Sequence, residues 1–182
     1  MARIRPIDPE KASPEARAVL DRMRDELGFV PNVARTLAHS PGALAGAFQL
    51  DLALRSGEID DMLRERIALA VAQENQCCYC LAAHTAMGRA VGLTEEELRD
   101  SRRCTSPEGR TGAALSFVRA LVRRRGKVED RDLERLREVG FGDAGITELV
   151  AMTAFFTLTN YLTHVAETPL DFPRAGDLPP EQ

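Results

Sequence analysis

Four side chains with reactive or proton-accepting groups lie close together in this chain, between Glu65 and His84. Cys77 and Cys80 form a Cys-x-x-Cys pair, and His84 follows the second cysteine by four residues. If Cys77 begins a helix, Cys80 lies one turn further along on the same side. Two sulfurs in that relation can form a small disulfide loop with little backbone movement. The stretch therefore predicts reactive thiols.

Two features of the sequence favour different cysteines as the more acidic thiol. The free N–H groups at a helix N-terminus stabilise a thiolate, which favours Cys77. His84 lies four residues after Cys80 and therefore directly over it on a helix surface, where its imidazole can take the thiol proton or stabilise the thiolate. The spacing alone leaves both assignments open.

Glu65 is the third candidate, twelve residues before the first cysteine. Its helical neighbours at three and four residues include no cation, so it lacks a local ion-pair partner. Its helix face is otherwise largely small or apolar. If that face packs against the cysteine helix, the carboxylate lies beside the thiols and the imidazole, where it can accept a proton.

Other interpretations of the cysteines stay open. A Cys-x-x-Cys pair also occurs in metal sites or as packing. Cys77 and His84, however, are about 10 Å apart along a continuous helix, too far to share one zinc ion, and the sequence has no second cluster of Cys and His. We expect no metal and no cofactor. Cys78 and Tyr79 are candidates to line the site, although Cys78 points to another helix side.

The remaining Cys and His residues lack partners in sequence. Cys104 follows an arginine pair, and we interpret it as an unpartnered thiol. His39 and His164 are interpreted as structural, although His164, on the last helix, could reach the site.

The composition predicts a single domain over residues 1–182. Hydrophobic residues make up 44% of the chain, the net charge is −4 and the pI is about 5.5, which gives no reason to expect nucleic-acid binding. The first fourteen residues carry charges and prolines where a signal peptide needs an apolar run, and no uninterrupted apolar stretch has the length of a membrane span. We expect a cytoplasmic protein with no membrane segment.

The pattern predicts eight or nine helices and no strands. Ser-Pro pairs at residues 13–14, 40–41 and 106–107 indicate helix starts, Asn32 can cap a short helix, and Thr94 with Glu97 forms a capping box. The last long helix is apolar on nearly all sides, which indicates burial in a core or in a subunit interface. Residues 1–12 are expected to form an extended arm and residues 169–182 an extended or mobile tail.

These residues resemble a known family. Glu65, Cys77, Cys80 and His84 match the pattern E-x11-C-x-x-C-x-x-x-H, which resembles the signature of the alkylhydroperoxidase D-like branch of the carboxymuconolactone decarboxylase family. The segment from Gly28 to Leu44 is similar to the one that precedes the core in the peroxidase-related branch. The resemblance covers most of residues 28–165.

The resemblance implies an all-α helical bundle that forms a homo-oligomer (a dimer, trimer or hexamer). It implies a peroxidase: a cysteine thiolate attacks the hydroperoxide and becomes a sulfenic acid, the second cysteine condenses with it, and a dithiol or lipoyl-bearing partner protein reduces the disulfide. Glu65 and His84 would form the proton relay. We take Cys80 as the attacking thiol and Cys77 as the resolving one.

Two positions differ from the family pattern. Some members have histidine immediately before the second cysteine, where this chain has Tyr79, and Cys78 adds a third thiol. The lactone decarboxylases of the family lack the Cys-x-x-Cys pair, so its presence here argues against lactone decarboxylase activity. A redox-sensing scaffold with negligible turnover and a small metal-binding module are the alternative functions.

Overall fold

A computed structural model describes residues 2–178, and the regular structure in that range is entirely helical. The prediction of an all-helical fold with eight or nine helices is therefore confirmed. A short 3-10 helix, Pro9–Lys11, precedes the α-helices. These are α1 (Pro14–Leu27), α2 (Asn32–Leu37), α3 (Pro41–Arg55), α4 (Asp61–Glu74), α5 (Cys78–Ala90), α6 (Glu95–Arg102), α7 (Gly109–Arg123), α8 (Asp130–Glu138) and α9 (Asp143–Ala166).

Most helix starts follow from capping residues in the sequence. The side chains of Ser13, Ser40 and Asp60 each accept a hydrogen bond from the backbone N–H three residues later. Such a bond satisfies one of the donors that the first helical turn leaves free. Thr94 and Glu97 form the predicted capping box at the start of α6.

Two predicted starts are wrong. Ser106 and Pro107 do not begin α7, because Ser106 Oγ accepts from the Glu108 N–H in a turn and Glu108 becomes the N-cap. Asn32 is the first residue of α2 rather than its cap. Its backbone N–H is satisfied by the Asp171 carboxylate, 2.7 Å away, so a contact distant in sequence replaces the local cap.

Helix α4 is the centre of the fold. The ten residues from Leu63 to Ala72 are all buried, and the helix packs against α5, α6, α7 and α9. Alternate positions near its end are alanines, whose small side chains let neighbouring helices approach on several sides. This central position brings Glu65, near the start of α4, into the interior.

Helix α9 has one buried and one exposed side. Leu149, Met152 and Phe156 are fully buried against α4 and α7. The opposite side exposes apolar residues that are eight, three and four residues apart: Val150, Leu158, Tyr161 and Val165. By length and composition alone α9 is long and apolar enough to span a membrane, but the core helices of soluble proteins meet the same criteria. In this structure α9 packs against five other helices.

The two chain ends pack on the helices. The N-terminal arm has no regular structure up to Asp8, and the N–H groups of Arg3 and Ile4 donate to the carbonyl of Ala166. The C-terminal segment from 169 to 178 is extended and crosses back towards α2. Met1 and the last part of the predicted tail, 179–182, lie outside the described residues.

Candidate active site

The junction between α4 and α5 sets the position of the first cysteine. Gln76 adopts a left-handed conformation (φ 55°), which turns the chain sharply after α4. The Cys77 N–H then donates to the Ala72 carbonyl at 2.8 Å, and Cys77 becomes the N-cap of α5. Its Sγ accepts a hydrogen bond from the Cys80 N–H at 3.2 Å. A thiol therefore occupies the capping position where serine or aspartate is usual.

The sulfurs of Cys77 and Cys80 share one neighbour from α9. Thr163 Oγ1 lies 3.0 Å from Cys77 Sγ and 3.8 Å from Cys80 Sγ. Both cysteines are buried, with 1% and 3% of their surface exposed, and all four cysteines of the chain are free thiols. The pair is thus held in a small polar site inside the apolar cluster formed by α4, α5 and α6.

The two thiols differ strongly in acidity. The pKa of Cys77 is lowered to about 6 by the hydrogen bond from the Cys80 thiol, and the Thr163 hydroxyl, the Cys80 N–H and the nearby His164 lower it further against the effect of burial. The pKa of Cys80 is raised well above its ordinary value because Cys80 shares its proton with Cys77 and is buried. The helix-terminus reasoning therefore identifies the more acidic thiol.

Glu65 and His84 form a hydrogen-bonded pair across α4 and α5. His84 Nδ1 lies 2.7 Å from Glu65 Oε2. A carboxylate can only accept, so Nδ1 carries the hydrogen and Nε2 is left to exchange a proton with a group in the pocket. The ring of His84 also packs edge-on against Phe156, at 5.1 Å between centroids, and this contact fixes its orientation.

A glycine permits the close approach of these two helices. A Cβ on Gly88, one turn after His84, would lie 2.7 Å from Leu98 Cδ2 and 3.9 Å from Glu65 Cβ. The absence of a side chain there lets α5 lie directly against α4 and α6. The Glu65–His84 bond depends on that short separation between the helices.

The relay pair and one cysteine line a common pocket. Cys80, Glu65, His84 and Tyr79 all contribute to its wall, and it encloses about 870 Å³ of space that is partly open to solvent. Most of the remaining wall is apolar and comes from α2, α3, α5, α9 and the C-terminal segment: Leu37, Leu44, Phe48, Met87, Phe155 and Phe172.

Tyr79 connects α5 to the C-terminal segment. Its hydroxyl donates to the Asp171 carboxylate and accepts from the Val33 N–H. Burial, followed by the hydrogen bond to Asp171, raises the pKa of Tyr79, so it stays a neutral donor. Phe172, next to Asp171, lines the pocket and packs edge-on against Phe29. Tyr79 therefore anchors a segment that covers the pocket, a role that its sequence position did not reveal.

Cys78, Cys104 and His39 lie apart from this site, whereas His164 lies close enough to lower the pKa of Cys77. Cys78 does not line the pocket: it is the first residue of α5, and the helical rotation from Cys77 turns its side chain to the surface. Cys104 is buried among α4, α7 and α9, in a different apolar cluster from the pair. His39 bonds the Arg5 carbonyl and His164 the Asn75 carbonyl. Among residues 2–178, no three His, Cys, Asp or Glu side chains are grouped to hold a metal ion.

The sequence analysis missed two polar residues, Asn160 and Thr163. They interrupt the apolar pattern of α9 at a spacing of three, so they share a face, and both are buried. Buried polar side chains on an otherwise apolar helix usually have a specific partner. That exception to the apolar pattern was the signal that could have identified them.

Comparisons with known proteins agree with the motif. The family model described as the carboxymuconolactone decarboxylase family matches residues 41–123, which run from the start of α3 to the end of α7. An alkyl hydroperoxide reductase of Mycobacterium tuberculosis is 33% identical over 93 residues, or 50% of this chain. The match spans only 27% of the length of that relative.

Solved structures share the whole fold. The alkylhydroperoxidase AhpD core of an uncharacterized peroxidase-related protein from Ralstonia eutropha JMP134 has a TM-score of 0.84 at 29% identity, over 93% of this chain and 92% of that one. An uncharacterized peroxidase-related protein from Silicibacter sp. TM1040 has a TM-score of 0.79 at 26% identity, over 92% of each chain. The family resemblance stated from the motif is confirmed.

Proposed function

We propose, because residues 41–123 match the model of the carboxymuconolactone decarboxylase family, that this chain is a thiol-dependent peroxidase that reduces organic hydroperoxides. One observation carries the proposal: Cys80 lines an apolar pocket together with the hydrogen-bonded Glu65–His84 pair. The second thiol, Cys77, is next to Cys80 and accepts a hydrogen bond from its backbone N–H. The names of the relatives, alkyl hydroperoxide reductase and peroxidase-related protein, support the same reaction class.

The first step makes a sulfenic acid on Cys80. His84 Nε2 takes the Cys80 thiol proton, while Glu65 stabilises the imidazolium through Nδ1. The Cys80 thiolate attacks one peroxide oxygen, so an S–O bond forms as the O–O bond breaks and two electrons pass from sulfur to oxygen. The alkoxide that leaves takes the proton from His84 and departs as the alcohol. Cys80 attacks in this scheme because it, and not Cys77, lines the pocket.

The second step closes the disulfide. Cys77, whose pKa is lowered to about 6, is a thiolate at neutral pH and attacks the Cys80 sulfur. The S–S bond forms as the S–O bond of the sulfenic acid breaks, and the hydroxide that leaves takes a proton from solvent and departs as water. An external dithiol then reduces the Cys77–Cys80 bond by exchange and is itself oxidised to a disulfide. We propose a lipoyl-type dithiol on a partner protein as that reductant, with no resident cofactor or metal, in a cytoplasmic setting where thiols stay reduced.

Intact mass and peptide mapping test the reaction directly. The reduced protein is exposed briefly to an organic hydroperoxide, its remaining thiols are alkylated, and the peptides are mapped. We expect one disulfide, between Cys77 and Cys80, with Cys78 and Cys104 still alkylated. If all four thiols stay alkylatable, the peroxidase proposal fails.

Trapping of the intermediate tests the order of attack. In Cys77→Ser no thiol remains to resolve the sulfenic acid, so a dimedone-type probe should label Cys80 after one addition of hydroperoxide. In Cys80→Ser the probe should find no sulfenic acid. Labelling of Cys77 in Cys80→Ser, at the wild-type rate, would reverse the assignment.

We also propose that the chain forms a homo-oligomer through the exposed side of α9. Val150, Leu158, Tyr161 and Val165 form an apolar stripe there, and exposed stripes of this kind commonly mark an interaction surface. Light scattering should show more than one subunit in the wild type and fewer in Tyr161→Glu. Oxidised and reduced protein should give the same profile; an oligomer that changes with the disulfide, without turnover, would favour the redox-sensing alternative.

A further inference from the structure

Two buried polar residues of α9, Asn160 and Thr163, face the cysteine pair and take no part in the scheme above. They are one turn apart, and only 1% and 5% of their surface is exposed. Asn160 contacts Asn75, which lies two residues before Cys77, and Thr163 contacts both sulfurs. Burying a polar group without a hydrogen-bond partner costs free energy. The hydrogen bonds of Asn160 and Thr163 therefore indicate which atoms these two side chains stabilise.

The Thr163 hydroxyl has one proton and two places to donate it. Oγ1 lies 2.9 Å from the Asn160 carbonyl and 3.0 Å from Cys77 Sγ. When Cys77 is a neutral thiol, its S–H can donate to Thr163, and the hydroxyl donates to the carbonyl. When Cys77 is a thiolate, the hydroxyl proton turns towards the sulfur. A rotation about one bond therefore matches the hydroxyl to either charge state.

The Asn160 amide has a donor without an acceptor. Its Oδ1 accepts from Asn75 Nδ2 at 3.0 Å, which fixes the orientation of the side chain. Its Nδ2 is buried and has no hydrogen-bond partner among the described residues. The same side chain lies close enough to Cys80 to lower the pKa of that thiol, against the larger effects of Cys77 and burial. A buried N–H group without a partner thus lies beside a sulfur that must become negative.

We propose that Asn160 and Thr163 form a donor pair that stabilises negative charge on the two sulfurs in turn, Thr163 on Cys77 in the resting protein and Asn160 on Cys80 when that thiol is deprotonated. The order in which the sulfurs carry charge rests on the proposed function, but the stabilisation itself does not depend on any particular oxidant. Because both side chains are already in place, charge on a sulfur requires no more than the rotation of one hydroxyl. Thr163 touches a reacting sulfur, and Asn75 is a positioning residue that acts through Asn160.

Thr163→Val tests the first half of the proposal. Valine keeps the branched shape and removes the hydroxyl, so the apparent pKa of Cys77 should rise by about one unit and its alkylation below that pKa should slow about tenfold. Alkylation is followed across a pH series by peptide mapping, which needs no turnover. Thr163→Ser, which retains a hydroxyl, should restore the wild-type profile.

Thr153→Val is the matched control. Thr153 is on the same helix and equally buried, with 4% exposed, and its hydroxyl donates only to the Leu149 carbonyl. Its substitution should leave the alkylation profile of Cys77 unchanged. Thr163→Ala removes the same hydroxyl without the branched methyl group and replaces Thr163→Val if that variant does not fold. An unchanged profile in a folded Thr163→Val or Thr163→Ala protein overturns the role of Thr163.

Asn160→Leu tests the second half, in a Cys77→Ser background where Cys80 titrates alone. Leucine has a similar shape and no donor, so the pKa of Cys80 should rise and its alkylation should slow about tenfold at a given pH. Asn75→Ala removes only the bond that orients Asn160 and should give a smaller change in the same direction. Alkylation of Cys80 at the same rate with and without the Asn160 amide overturns this half.

The two levels of proposal fail separately. If hydroperoxide forms no disulfide but the alkylation profiles shift as described, the peroxidase proposal fails and the donor pair stands. If hydroperoxide is reduced normally while both profiles stay unchanged, the donor pair fails and the peroxidase stands.

Discussion

Cys77 and Cys104 are the same side chain at nearly the same burial, with 1% and 3% exposed, yet their thiols differ in acidity by a wide margin. The pKa of Cys77 is lowered to about 6, whereas burial and the neighbouring Glu74 raise the pKa of Cys104 to about 12. Cys77 caps the N-terminus of α5. Cys104 follows α6 in a left-handed turn and packs in the largest apolar cluster.

The difference comes from hydrogen-bond donors rather than from exposure. Around Cys77, the Cys80 thiol, the Thr163 hydroxyl and the Cys80 N–H all converge on one sulfur. Around Cys104, the nearby Arg119 and Arg123 lower the pKa only partly against the opposing effect of burial. Desolvation raises the pKa of any buried thiol, and only donors aimed at the sulfur reverse that shift. Burial alone therefore says little about which cysteine is reactive.

The greatest change in activity is expected when one thiol is removed from the cysteine pair and, separately, from the apolar cluster around Cys104. Cys80→Ser should abolish consumption of organic hydroperoxide, because the sulfur that receives the oxygen is gone. Cys104→Ser should leave the rate within about twofold of the wild type, the scatter expected for a residue outside the site. The measurement is the rate of hydroperoxide loss with excess dithiol. Full activity of Cys80→Ser would contradict the claim that the cysteine pair, and not Cys104, is the reactive site.

The second prediction concerns the Glu65–His84 proton relay, because the lowered pKa of Cys77 could be sufficient for hydroperoxide reduction without it. Glu65→Gln removes the charge that stabilises the His84 imidazolium, and hydroperoxide reduction should slow by about 100-fold, the low end for loss of acid–base assistance. Stopped-flow measurement of the oxidation step isolates this effect from reduction by dithiol. Alkylation of Cys104 serves as the control and should not change. A rate equal to that of the wild type would show that the donors around Cys77 suffice.

A pH series contrasts the two thiols directly. Because the pKa of Cys77 is lowered, its thiolate is present above about pH 6 and is lost as the pH falls through that value. Alkylation of Cys77 should therefore be fast at neutral pH and fall about tenfold for each unit below its pKa. Alkylation of Cys104 should still be rising at the alkaline end of the series. Two coincident profiles would contradict the contrast.

The smallest effect is expected at the segment that covers the pocket. Tyr79→Phe removes the hydroxyl that bonds Asp171 and the Val33 N–H. Loss of about 1 kcal/mol of hydrogen-bond stabilisation would raise the open population about fivefold, so Cys80 should be alkylated about fivefold faster. Cys104 lies outside this segment, and its alkylation should not change. Slower labelling of Cys80 would indicate that Tyr79 does not hold the cover closed.

Several parts of this structure could be predicted from local patterns. The capping box of Thr94 and Glu97 and the starts at Ser13 and Ser40 depend on contacts within one helical turn, so sequence spacing was enough. Asn32 was assigned wrongly because its N–H is bound by Asp171, 139 residues further along the chain. Local rules contain no information about such a partner.

Residue spacing alone shows which groups are neighbours along a helix: Cys77 at the helix start, Cys80 one turn later and His84 above it. It also indicated that Glu65 has no local partner. Three contacts between distant segments emerge from the folded arrangement alone. Glu65 bonds His84, Tyr79 anchors the C-terminal segment, and Thr163, 86 residues after Cys77, lies against its sulfur. The physical reason is that helical periodicity fixes separations within a helix, whereas contacts between helices depend on how their side chains pack together.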